Sequence, residues 1–219
     1  AREAYLRLSA ETDNKLERAR HIVSAELALD RNDFDLCLIE LAKVKANRHV
    51  LKLKQKAISA KGDWRGMLAL VPALRAVDSG LAMETERQAA RLGFSTEQGE
   101  NDVLVDLYKS LSAELKADSD IIIQYADALT NHGLIEPILR AAVKKSWRPE
   151  LVQAYGALND STLKIRRKTA EAWLKQHADD TQLQYCLGCI YEQSGENELA
   201  IDAFRQSLRL GGDAVVHLR

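Results

Sequence analysis

The chain's 219 residues, 46% hydrophobic and 29% charged, can bury a substantial core and fit one long domain or two short ones. No window holds the roughly 18 to 20 uninterrupted apolar residues that a bilayer-spanning helix needs, which excludes a membrane helix within this sequence. A formal net charge of −1 argues against nucleic acid as the partner, and three cysteines, an odd number, argue against a disulfide framework and for reducing, cytoplasmic surroundings.

Along the chain, apolar residues recur at helical spacing, prolines number only three, and β-branched alternation is almost absent, so the sequence predicts an all-α protein. It opens "AREAYLRL", without an initiator Met or an apolar signal core, and so reads as part of a longer protein. In "FDLCLIELAKV" the positions Leu36, Cys37, Ile39, Leu41 and Val44 are expected to form one apolar stripe. A basic block follows at residues 43–61, with seven Lys or Arg and no acidic residue. Residues 78–127 then hold eleven acidic against four basic, and residues 128–168 hold eight basic against three acidic. Solvated helix faces explain each block singly, whereas the alternation points to a charged partner. Near the end, "ELAIDAFRQSLRL" offers a second expected stripe of Leu199, Ala200, Phe204, Ser207 and Leu208.

Breaks between helices are expected at Asn32, Gly62, Gly99, Gly133 and Gly195, spaced 30, 37, 34 and 62 residues apart. The last interval is two units of about 31, and the mean period of about 33 in paired helices resembles a tetratricopeptide array, whose repeat is about 34 residues. The final repeat, taken as 181–214, matches best. Leu187 and Gly188 fall on the Leu-Gly pair, Tyr191 on the aromatic, Gly195 on the turn, Ala200 on the small residue and Phe204 on the second aromatic. Gln184 stands in place of the usual Trp, Ser207 in place of a later Ala and Gly212 in place of the terminal Pro. The resemblance implies one tandem-repeat domain over 1–219, a right-handed superhelix of antiparallel helix pairs with a possible break at 77–81. It further implies that Gly188 and Ala200 are small because two helices approach closely there.

In such a solenoid certain positions of each first helix line a concave groove where peptides bind. Carried onto this sequence, they are His49, Lys52 and Lys56 in an early repeat, Asp127 and Asn131 in a middle one, and Gln182, Tyr185, Cys189, Glu192 and Gln193 in the last. The basic positions suit an acidic peptide or an anionic headgroup, and the block around them has no aromatic residue on which nucleic-acid bases would stack.

Cys186 and Cys189 stand one helical turn apart. A zinc site needs three or four ligands, and no second Cys pair occurs; the nearest histidine, His177, belongs to the preceding helix. No His follows the pair, which excludes covalent haem attachment of the usual kind. Packing is the expected role: Cys186 buried, Cys189 toward the groove, and no metal or cofactor. The five histidines are scattered, and no phosphate-cradling glycine loop or nucleophile elbow occurs, so no catalytic constellation is expected.

The segments "DLYKSLSAELKADSDIIIQYADAL", "ILRAAVKKSWRPELVQAYGAL", "KTAEAWLKQHADDTQLQYCLG" and "GDWRGMLALVPALR" resemble the HemY proteins of proteobacteria, tetratricopeptide proteins encoded beside haem-biosynthesis enzymes. The likeness covers most of the chain, its most specific run being 147–188. It implies a non-catalytic scaffold acting late in protohaem synthesis and binding haem-pathway enzymes. It also implies a tether of two N-terminal helices to the bacterial inner membrane, with this domain on the cytoplasmic face. The other readings are a haem or porphyrin carrier using Tyr185, Cys189 and a histidine, and a general adaptor unrelated to haem.

Overall fold

The structure, a computed structural model, describes residues 2–159 and 161–211, with side chains from residue 14 onward. Among the described residues it contains helices and no strand. The chain divides into two compact units, residues 1–93 and 94–219. The first holds α1 (Arg2–Asp30), α2 (Phe34–Ala42), α3 (Arg48–Ala60), α4 (Trp64–Arg75) and most of α5 (Ser79–Thr96). The second holds α6 (Asn101–Ser110), α7 (Ala113–Lys116), α8 (Ser119–Ala128), α9 (Glu136–Lys145), α10 (Pro149–Ala157), α11 (Leu163–Trp173), α12 (Thr181–Gln193) and α13 (Asn197–Arg209), with a 3-10 turn at His132–Leu134.

The local signals that make these helices separate also make them pair. At three joints the chain turns through one residue in the left-handed region: Asn32 at φ 59°, Gly62 at 69° and Gly195 at 76°. Each joint closes with the same hydrogen bonds, the next residue's N–H reaching back five positions: Asp33 to Ala28 O, Asp63 to Ile58 O and Glu196 to Tyr191 O. Asp33 and Asp63 then cap the following helix by accepting from Leu36 N and Gly66 N. One joint built three times is a structural repeat. Within the units, the first helix of a pair also packs on the first helix of the next, as α1 on α3, α8 on α10 and α10 on α12. That stacking is the arrangement of a tetratricopeptide-type α-solenoid. Gly99 turns at φ 90°, whereas the Gly133 break is the 3-10 turn without a positive φ.

Two of the expected stripes need correction. On α2, Cys37, Leu41 and the following Val44 are buried with Ala25, Ala28, Val50, Leu53 and Ala57, and Phe34 and Leu38 lean on the same cluster. Leu36 and Ile39 are instead exposed, because a short helix buries positions four apart on one side and these two lie on the other. On α13, Ala200, Ala203 and Ser207 are buried, while Leu199 and Leu208 are exposed. Ser207 holds its position for a polar reason, donating to Thr181 O at 2.9 Å on α12. The last repeat is described only to residue 211, so Gly212 lies outside the described residues.

The second unit carries polar groups at its centre. Arg166 on α11 is fully buried, and its guanidinium donates to Gln193 Oε1 at 2.8 Å and to the carbonyls of Tyr155 and Gly156 at 3.5 Å, the open C-terminal end of α10. Buried Glu136 accepts from Tyr155 Oη at 2.7 Å and meets Arg140 at 3.3 Å. Burial pushes the Tyr155 phenol well above its ordinary range, and the bond to Glu136 adds to the effect.

Candidate functional site

In the first unit His49, Lys52 and Lys56 share one face of α3, three and four residues apart, as the repeat register requires. His49 and Lys56 are exposed and Lys52 is half-buried. The face is less bare than the sequence suggests. Asp78, at the start of α5, accepts from Arg48 at 2.8 and 3.2 Å and lies 3.8 Å from Lys52 Nζ, and its other oxygen caps α5 through Leu81 N. The Arg48 hydrogen bond, then the one from Leu81, holds its carboxyl below the usual range. His49 Nε2 meets Glu26 Oε1 at 2.9 Å, Lys43 meets Glu40 at 2.7 Å, and Lys61 meets Asp35 at 2.5 Å. Among the described residues, Lys56 remains a solvated cation on this face with no ion pair. Asp78 had no visible role in the sequence, since it sits thirty positions from Arg48.

In the second unit the middle pair of candidates parts company. Asp127 is on α8 and exposed, and partial burial of its carboxyl raises its pKa, with His132 opposing the rise. Asn131 lies beyond the end of α8. Its N–H donates to Asn101 Oδ1 at 3.1 Å and its own Oδ1 accepts from Gly133 N, so it fastens a loop instead of lining a helix face. A turn ending α8 at Ala128 moves it off the register that counting assumed.

On α12, Glu192 and Gln193 are exposed, and Gln182, Tyr185 and Cys189 are half-buried. Gln193 is tied inward, accepting from Arg166 and donating to Gly156 O at 3.2 Å. It joins α10, α11 and α12 and is a poor candidate for contacting a partner. Tyr185 packs against Phe204 with ring centres 5.7 Å apart. Beside them, Arg167 binds Glu171 at 2.8 Å and Glu196, and lies over the Tyr191 ring.

Cys186 is fully buried, as expected, and a Cβ on Gly156 would lie 2.7 Å from its Cα, so α10 and α12 touch there. Burial pushes both thiols upward, and the Cys189 thiol is drawn back only in part by a bond with Tyr185. Both thiols are therefore harder to deprotonate than an exposed cysteine. No three His, Cys, Asp or Glu side chains converge on a metal position among the described residues. His177 lies beyond the end of α11 and stacks on Trp147 at 3.6 Å.

No family model matches the sequence, and no curated protein matches it. One solved structure, titled "MamA MSR-1 C2", is 12% identical, spans 88% of this chain and 95% of its own, and superposes with a TM-score of 0.29. A likeness that slight carries no functional meaning.

Proposed function

We propose that the chain is a non-catalytic interaction scaffold whose first-helix faces hold protein partners. The observation that carries this reading is the α3 face: it sets His49, Lys52 and Lys56 in one row on a helix whose N-terminal turns are held by Asn47 and Asp78. A rigid helix presenting charged groups to solvent loses little entropy when a partner settles on it. The HemY resemblance extends the proposal to haem-pathway enzymes as partners, with the full-length protein tethered to the bacterial inner membrane and this part on its cytoplasmic face.

The test is to express the chain behind a membrane anchor and crosslink it in intact cells. Haem-pathway enzymes should be enriched, and reversing Lys52 and Lys56 to Glu should reduce their recovery in a variant that keeps its helical signal. Binding through such exposed ionic contacts should also weaken with salt. Enrichment of unrelated proteins alone would favour a general adaptor. Haem carriage is disfavoured because burial raises the pKa of Cys189, its best axial ligand, and so makes the thiolate harder to form. A Soret shift lost in Cys189→Ala would reverse that judgement.

A further inference from the structure

The joints at Asn32, Gly62 and Gly195 set a common register for the helix pairs they close. Nine residues before the joint stand Val23, Leu53 and Cys186, and five before it stand Leu27, Ala57 and Ile190. In the two later pairs these positions are buried. Leu53 and Ala57 belong to the cluster shared with α1 and α2, Cys186 lies against Gly156 of α10, and Ile190 is fully enclosed. On α1 the same two positions are bare: Val23 is 53% exposed and Leu27 50%. The last pair shows the complementary deficit. Leu38, six residues after its joint, leans on the cluster that α3 completes, whereas its counterpart Ile201 is 48% exposed. Leu41, nine residues after the joint, is fully buried, and its counterpart Phe204 is only half-buried. The polar edge follows the same rule. Asp35, three residues after one joint, meets Lys61, one before the next, at 2.5 Å. Their counterparts are Glu198 on α13 and Arg31 at the end of α1, both exposed and without an ion pair among the described residues.

We infer that a second copy of this chain covers α1: α12 and α13 of one copy seat on α1 of the next, as α1 and α2 seat on α3. Ile201 and Phe204 then cover Val23 and Leu27, and Glu198 meets Arg31 across the junction. Two features select a copy over an unrelated helix. The exposed apolar faces occupy complementary positions of one register, and the charges at their edges are opposite. Because one face meets a different face, the contact is heterologous, so it grows into a row or a ring and does not stop at a two-fold dimer. The α3 face takes no part in it.

Sedimentation of the intact chain over roughly 10 µM to 1 mM tests this, and the mass should rise past that of a dimer at the upper end. Leu27→Glu on α1 and Ile201→Glu on α13 alter exposed positions, so each variant should keep its helical signal and its thermal midpoint. Each alone should stay monomeric. Mixed in equal amounts, the two variants should form a dimer and nothing larger, because each retains the face that the other has lost. Arg31→Glu should weaken association about fivefold, an exposed attraction becoming a repulsion, and adding Glu198→Arg to the same chain should restore it. Lys52→Glu with Lys56→Glu should leave the mass unchanged, which separates this contact from the α3 proposal. The inference is overturned by a chain that stays monomeric throughout, or by a mixture of the two variants no larger than either alone. A dimer that Ile201→Glu leaves intact, which would mean α1 pairing with itself, or a charge swap that restores nothing would overturn it equally.

Discussion

At Gly156 a single added methyl group meets backbone: its Cβ would fall 2.7 Å from Cys186 Cα, an atom α12 cannot move without shifting whole. At Gly188 the obstacle is the Phe204 ring, 2.3 Å away, which can yield by rotating toward its exposed side. Alanine gains about 1 kcal/mol of helix propensity at either site, while overpacking costs about 1 to 3 kcal/mol. Gly156→Ala should therefore lower the urea midpoint more than Gly188→Ala, and the reverse order would place the tight contact elsewhere. Asp78 gives a second residue-scale prediction. Its folded pKa lies below the ordinary 3.8, so its contribution is complete above that pH and is lost as pH falls through the lower folded value. Thermal melts of Asp78→Asn should lose part of the acid-limb slope seen in the parent. Much of this scale was legible in advance. Gly188 and Ala200 announced a close approach because only small residues fit one, and Cys186 sat where burial was required. Leu36 and Ile39 were misassigned because an apolar side chain on a short helix is compatible with either face, and only the partner helix decides.

Among the elements, the hairpin joints were the most legible parts of the sequence, for a physical reason: a left-handed residue followed by an acidic cap is a local instruction, independent of the rest of the fold. Asn32 is the one non-glycine residue with positive φ among those described. Asn32→Ala should cost about 1 kcal/mol and Asn32→Gly little or nothing, read as shifts in the urea midpoint. Arg166 was illegible, since nothing local marks an arginine as buried; the need arises only when the end of α10 is brought against α11. Removing its guanidinium takes a donor from Tyr155 O and from Gln193 Oε1. Arg166→Met should destabilise by about 3 kcal/mol, more than any of the single-methyl changes, and a loss within about 0.5 kcal/mol would mean that water replaces it. Asn131 failed for the opposite reason: a fixed repeat register cannot foresee that α8 stops at Ala128.

For the whole molecule, composition and period announced an all-helical chain of stacked pairs, and that much the structure bears out. The charge blocks were legible as blocks but not as surfaces, because Asp78 and Asp35 draw acids from distant sequence onto the basic run. The burial of the thiols has a use of its own. Cys37 lies sealed in the first unit and Cys186 in the second, each at 0% exposure. Alkylation of either must wait for its surroundings to open, so the natural chain carries one chemical clock in each half. Mass spectrometry of peptides quenched along a urea series would time the two separately, without any introduced label. Two clocks running together would mean a single cooperative body, and two running apart would mean that one half can melt while the other still holds its partner.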